Sequence, residues 1–281
     1  MEQDSKLIVI PWDFSNVAEN ALVHGAKIAK MVDNELRLLH IVDKKLDAKK
    51  KEEVTGKLAE AAEKAERIYN VKVDTFIMQG SIFTAISKYV SDIKANLVIM
   101  GTHGMKGMQK ITGSWALKVI AGSKVPFIVV QDPPEDMSKY QNILFPIDFK
   151  LEQKEKLQWA IFMGKYFDSK VHILQAATQD KSLLKKQKVN LNFAIKFLIQ
   201  NRIDYEIHTI EKSNNFAKDV INFTQDNNID MVIIMTTKNL NFSDYMMGAQ
   251  EQYLIANSSH IPVMCINPKA NFAKKAQYLY G

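Results

Sequence analysis

At 281 residues, with 47% hydrophobic and 24% charged residues, the chain has the composition of a folded globular protein with room for two cores of ordinary domain size. No apolar run approaches the roughly 18 residues of a membrane-spanning helix, and the polar start Met1–Lys6 lacks the apolar stretch of a signal peptide, so a cytoplasmic protein without a membrane partner is expected. The formal charge of +6 raises nucleic acid as a partner, but Lys44, Lys45 and Lys49–Lys51 are followed by Glu52, Glu53, Glu60, Glu63 and Glu66; that mixture is a solvated helix face and argues against it.

The apolar run at 6–11 predicts a first strand that ends in Pro11-Trp12-Asp13-Phe14-Ser15. Ser15 is a candidate cap for a helix over 16–32, whose Ala18, Ala21, Leu22, Gly25, Ala26, Ile28 and Ala29 make a narrow small-residue face suited to close packing on a sheet. Further strands are expected near 36–42, 72–78, 96–100 and 126–130, and helices at 48–69, at 81–94 and after Gly113-Ser114. Such alternation implies right-handed crossovers and a parallel sheet.

Open sheets of this kind bind ligands beyond the carboxyl ends of their strands, where the strand order reverses. Two segments claim that place: Pro11–Ser15, and Gly101-Thr-His-Gly-Met-Lys-Gly107 after the fourth strand. Glycines at three-residue spacing let backbone amides approach an anion, and the helix after Gly113-Ser114 offers free N–H groups at its amino end, with Ser114 as its expected cap. A tight strand-to-helix connection would need the same glycines without any ligand.

The stretch 132–138, Asp-Pro-Pro-Glu-Asp-Met-Ser, reads as a linker, and beyond it the chain repeats itself. Leu7-Ile-Val-Ile-Pro-Trp-Asp-Phe14 returns as Asn142-Ile-Leu-Phe-Pro-Ile-Asp-Phe149, which sets Pro146 over Pro11 and Asp148 over Asp13. Asp33–His40 and Asp168–Gln175 correspond, as do Asn96–Met100 and Asp230–Ile234, and Val125–Val129 and Ile261–Cys265. The domains expected are 1–134, carrying the glycine loop, and a degenerate 139–268, followed by a tail at 269–281. In the second copy Met235 and Lys238 replace Gly101 and Gly104, and Ala249 follows Gly248 where Ser114 follows Gly113, so side chains occupy the cradle and Asp148 is expected to be a relic. The last strands of the copies, Pro126–Val130 and Pro262–Ile266, are short apolar edges expected to pair with each other.

Pro11, Asp13 and Ser15, the His40-Ile-Val42 strand and the Gly101-x-x-Gly104 then Gly113-Ser114 signature resemble the universal stress protein family, over nearly the whole chain as a tandem. The resemblance implies an α/β fold of two Rossmann-like domains, each a five-stranded parallel sheet in the order 3-2-1-4-5 flanked by helices. It also implies ATP or AMP in the first domain, with Asp13 facing the adenine, Ile41 offering backbone groups, and Gly101, His103, Gly104, Gly113 and Ser114 around ribose and phosphates. Eight residues separate Gly104 from Gly113, one fewer than in the family's ATP-binding form, and Trp115 stands where a smaller residue is usual, so a shifted phosphate cradle is expected. The monomer would mimic the family's dimer, with a dimer of tandems as a further assembly. A scaffold that binds an unknown protein partner and no nucleotide is the alternative.

The six histidines show no pair at three- or four-residue spacing, so no helical metal site is expected, and Cys265 in its apolar run reads as a buried strand residue. Nucleophile elbows and the Walker lysine are missing, which argues against an enzyme.

Overall fold

The computed structural model describes residues 6–43, 47–103, 113–135, 140–147, 154–236 and 249–267; for Gly113–Trp115, Lys154 and Ala249 it describes the backbone alone. In the first half β1 (Leu7–Pro11), α1 (Asn16–Val32), β2 (Glu35–Val42), α2 (Ala48–Tyr69), β3 (Val73–Gln79), α3 (Ile82–Asp92), β4 (Leu97–Gly101), α4 (Gly113–Ala121) and β5 (Phe127–Val130) follow one another. The second half repeats the order with β6 (Asn142–Pro146), α5 (Lys154–Phe167), β7 (Lys170–Ala176), α6 (Lys181–Gln200), β8 (Tyr205–Ile210), α7 (Phe216–Asp226), β9 (Met231–Met235), α8 (Ala249–Ile255) and β10 (Val263–Ile266). Every strand and helix expected in the first half is present within about two residues.

The strands form one sheet in the order β3-β2-β1-β4-β5-β10-β9-β6-β7-β8. Each half contributes five parallel strands in the expected 3-2-1-4-5 order, and the halves join where β5 meets β10 antiparallel, Ile128 opposite Met264. The two apolar edges thereby cover each other, as their composition predicts.

Alternation along the strands divides the interior into two layers. Ile8 and Ile10 face one side with α1, α2, α5 and α6; Leu7 and Val9 face the other with α3, α4, α7 and α8. Both cores run through both halves, so the seam is as apolar as either interior. Polar side chains fasten its rims: Gln131 Nε2 donates to the Asn257 carbonyl at 2.9 Å, and Asn267 Nδ2 to that of Ser123 at 2.7 Å. Cys265 is 1% exposed beside the seam, and burial raises its thiol pKa. Among the described residues no helix is long and apolar enough to cross a membrane.

Candidate functional site

The carboxyl ends of β1 and β4 lie side by side at the point where the strand order of the first half reverses. A cleft of about 470 Å³, counting the space open to solvent, sits there, bounded by Trp12, Asp13 and Ser15, by His40 and Ile41 from β2, and by Met100 and Gly101 from β4. Ile82 and Ile86 of α3 supply an apolar wall. An apolar wall with a few polar groups at its rim is the usual lining of a small-molecule cleft.

The loop after β1 is held by its own side chains. Asp13 Oδ1 accepts from the Ser15 backbone N–H at 3.0 Å and from the Ser15 hydroxyl. Ser15 Oγ in turn accepts from the Ala18 N–H at 3.3 Å, which makes Ser15 the expected cap of α1. Phe14 between them has φ of 63°, a left-handed conformation uncommon outside glycine, and its exposed ring stands 5.1 Å from that of His40. His40 Nδ1–H donates to the Trp12 carbonyl at 2.6 Å, so the ring is fixed across the mouth of the cleft. Trp12 is 5% exposed, and its indole N–H finds no acceptor among the described residues. Phe14 and His40 escape sequence reasoning as a pair because β1 to β2 register, and not spacing along the chain, brings them together.

Gly101 has a structural reason beyond any ligand. A Cβ there would lie 2.1 Å from the Val17 carbonyl oxygen, so α1 can cross the end of β4 only above a glycine. Of the other expected site residues, Asp13 is exposed at the cleft and Ile41 lines it. His103 is exposed just beyond β4, after a fully buried Thr102 whose N–H donates to the Val130 carbonyl at 2.9 Å. Gly104 lies outside the described residues, as do most of the Gly101–Gly113 loop with its expected shifted cradle and the side chain of Trp115. The helix α4 begins at Gly113, one residue before the expected cap, which places the Ser114 backbone in its first turn.

The second half differs at the same end of the sheet. The ammonium of Lys156, only 3% exposed, donates to the Pro146 carbonyl and sits 4.2 Å from the Phe145 ring centroid. Met235 ends β9 where Gly101 ends β4, and Asp148, Lys238 and Gly248 lie outside the described residues.

A profile of the universal stress protein family matches residues 5–131 and again residues 139–267. The chain belongs to the universal stress protein family. This tandem universal stress protein is similar to universal stress protein MJ0531 of Methanocaldococcus jannaschii, 33% identical over 144 residues that make up 47% of this chain and 85% of that one. The crystal structure of a universal stress protein from Archaeoglobus fulgidus DSM 4304 matches 94% of this chain and 99% of its own, with a TM-score of 0.77 at 18% identity. A putative universal stress protein from Pseudomonas aeruginosa UCBPP-PA14 matches 99% of each chain, with a TM-score of 0.67 at 15% identity. At these identities the two structures establish the shared fold of the whole tandem.

Proposed function

We propose that this universal stress protein binds an adenine nucleotide, ATP or AMP, in its first half only, and acts in the cytoplasm as a regulatory stress-response protein and not as an enzyme. The observation that carries the reading is the cleft at the β1 and β4 ends, which gathers Asp13, Ile41 and Gly101 at the switch point together with Ser15, Val17 and Ala18 from the amino end of α1. Asp13 is offered to the adenine, Ile41 its backbone, and Gly101, His103, Gly104, Gly113 and Ser114 to ribose and phosphates. The buried indole N–H of Trp12 supplies a donor that a ligand acceptor would satisfy.

Binding is favoured over turnover because the titratable groups lining the cleft are already engaged, Asp13 by Ser15 and His40 by the Trp12 carbonyl. In the second half the buried Lys156 and Met235 stand at the corresponding strand ends, consistent with loss of the ligand there. A lone buried thiol suits a reducing compartment. Chromatography of the small molecules released from freshly purified, denatured protein, together with calorimetric titration of ATP and AMP, tests the proposal. One nucleotide per chain supports it; no binding at millimolar nucleotide hands the chain to the scaffold alternative, in which an unknown protein partner replaces the ligand.

A further inference from the structure

The strands β7 and β8 pair in parallel with His172 opposite Glu206 and Leu174 opposite His208. That register sets His172, His208 and Glu206 on one face at the edge of the sheet, with a ligand atom from each lying within 4.8 Å of the others. His172 Nδ1 and His208 Nε2 are 3.1 Å apart. Glu206 Oε1 lies 3.9 Å from His208 Nε2, while its other oxygen accepts from the exposed Lys170 ammonium at 2.6 Å.

The tautomer of His172 is set from outside the group. Asn142 Nδ2 donates to the Asn228 carbonyl at 3.3 Å, which turns Asn142 Oδ1 toward His172 Nε2 at 3.0 Å. Nε2 therefore carries the proton, and the Nδ1 lone pair points at His208. Metal-bound histidines are oriented by this kind of second hydrogen bond. Phe223 of α7 packs 4.7 Å from the His208 ring and 6.5 Å from that of His172, which holds both imidazoles in place.

The repeat supplies the second argument. At the corresponding register of the first half Arg37 is opposite Asp74 and Leu39 opposite Phe76. There the guanidinium donates to both carboxylate oxygens and to the Tyr89 hydroxyl, and Phe76 stacks on Tyr89 at 4.6 Å. The first half thus carries a fixed cation on its inner strand against the carboxylate. In the second half that arginine is replaced by an imidazole and the aromatic ring by another, so a carboxylate oxygen and two imidazole nitrogens lie within 4.8 Å of one another.

We propose that His172, His208 and Glu206 form a binding site for a divalent transition-metal ion of the zinc class, with water in the remaining position. Tetrahedral coordination at metal–nitrogen distances of about 2.0–2.1 Å places two ligand nitrogens about 3.3–3.4 Å apart, so the imidazoles need to part by only about 0.3 Å. His208 moves its proton from Nε2 to Nδ1, and the ion takes the place of that proton between the rings. The exposed Glu206 closes the remaining gap by side-chain rotation. Helical spacing rules miss the group because its members are neighbours across strands.

The test is titration of untagged full-length protein with Zn²⁺ by calorimetry and with Co²⁺ by visible absorption. One ion per chain is expected, with His208→Gln and Glu206→Gln each weakening it about tenfold or more, a scale typical of losses at a metal site. Lys170→Gln, which removes a neighbouring positive charge, is expected to tighten binding. In the wild type the imidazole nitrogen resonances of His172 and His208 shift together with added Zn²⁺ while those of His24 stay; this reading survives any variant that fails to fold. Absence of saturable binding at about 0.1 mM Zn²⁺, a Kd range too weak for a formed site, overturns the proposal, as does wild-type affinity in either the His208 or the Glu206 variant.

Discussion

The hydroxyl of Tyr140 donates to Nδ1 of His24 at 2.6 Å, and this buried bond ties the first helix of one half to the residue that leads into the other. The direction follows from the far side of the ring, where Nε2–H must donate to the Asp132 carbonyl at 3.0 Å. His24 is 1% exposed, and burial pushes its pKa down to about 4 from 6.5. The folded state therefore holds the neutral imidazole, while the unfolded chain takes up its proton as pH falls through 6.5. Stability present above that pH is lost progressively down to about 4, by roughly 3 kcal/mol in total. Urea midpoints at pH 7 and pH 4 check this; His24→Gln should remove most of the drop, and an unchanged drop in that variant counts against it.

Tyr140→Phe keeps the ring but leaves His24 Nδ1 buried without its donor. The Lys27 ammonium lies 3.8 Å from the centroid of that ring, so the aromatic contact survives the change. A loss of about 1–3 kcal/mol at pH 7 is expected from the orphaned nitrogen alone, measured by chemical denaturation.

Gly101→Ala separates the two roles of this glycine. Its new Cβ meets the Val17 carbonyl, backbone that cannot swing aside, so the variant should lose roughly 3 kcal/mol of stability with no nucleotide present, near the upper end for overpacking. Thermal unfolding of the ligand-free protein decides; a wild-type Tm would show that α1 is free to move.

Asp13→Ala should reduce adenine-nucleotide affinity at least about tenfold, or about 1.4 kcal/mol, while Asp148→Ala leaves it unchanged. Ser15→Ala removes the cap of α1 and should cost about 1 kcal/mol of stability on its own, so calorimetry must be paired with a melting curve to separate the two effects. Equal losses of affinity at Asp13 and Asp148 would show that the second half binds too.

Asn267→Ala should destabilise the whole chain by about 1–2 kcal/mol, because the Ser123 carbonyl across the seam loses its donor. The halves share both cores, so unfolding should remain one transition. Two resolved steps in calorimetry would mean that the seam is weaker than its burial implies.

The sequence by itself determined the elements, the repeat and the pairing of the halves. Periodicity and caps are local, and Asn142–Phe149 repeats Leu7–Phe14 with its Pro and Asp in place, so these features are printed along the chain. The apolar edges at 126–130 and 262–266 required covering, and β5 and β10 do so. Tertiary structure alone decided what lies beside what. Gly101 reads as a phosphate-loop glycine until α1 is seen to cross it, and His40 gains its place at the cleft only through its bond to the Trp12 carbonyl. His172 and His208, 36 residues apart, become hydrogen-bonded neighbours through a parallel register that strand spacing along the chain cannot specify. The reason is physical: a strand pattern of period two fixes which face a side chain takes, whereas its neighbour across the sheet is set by how every strand packs against both helical layers at once.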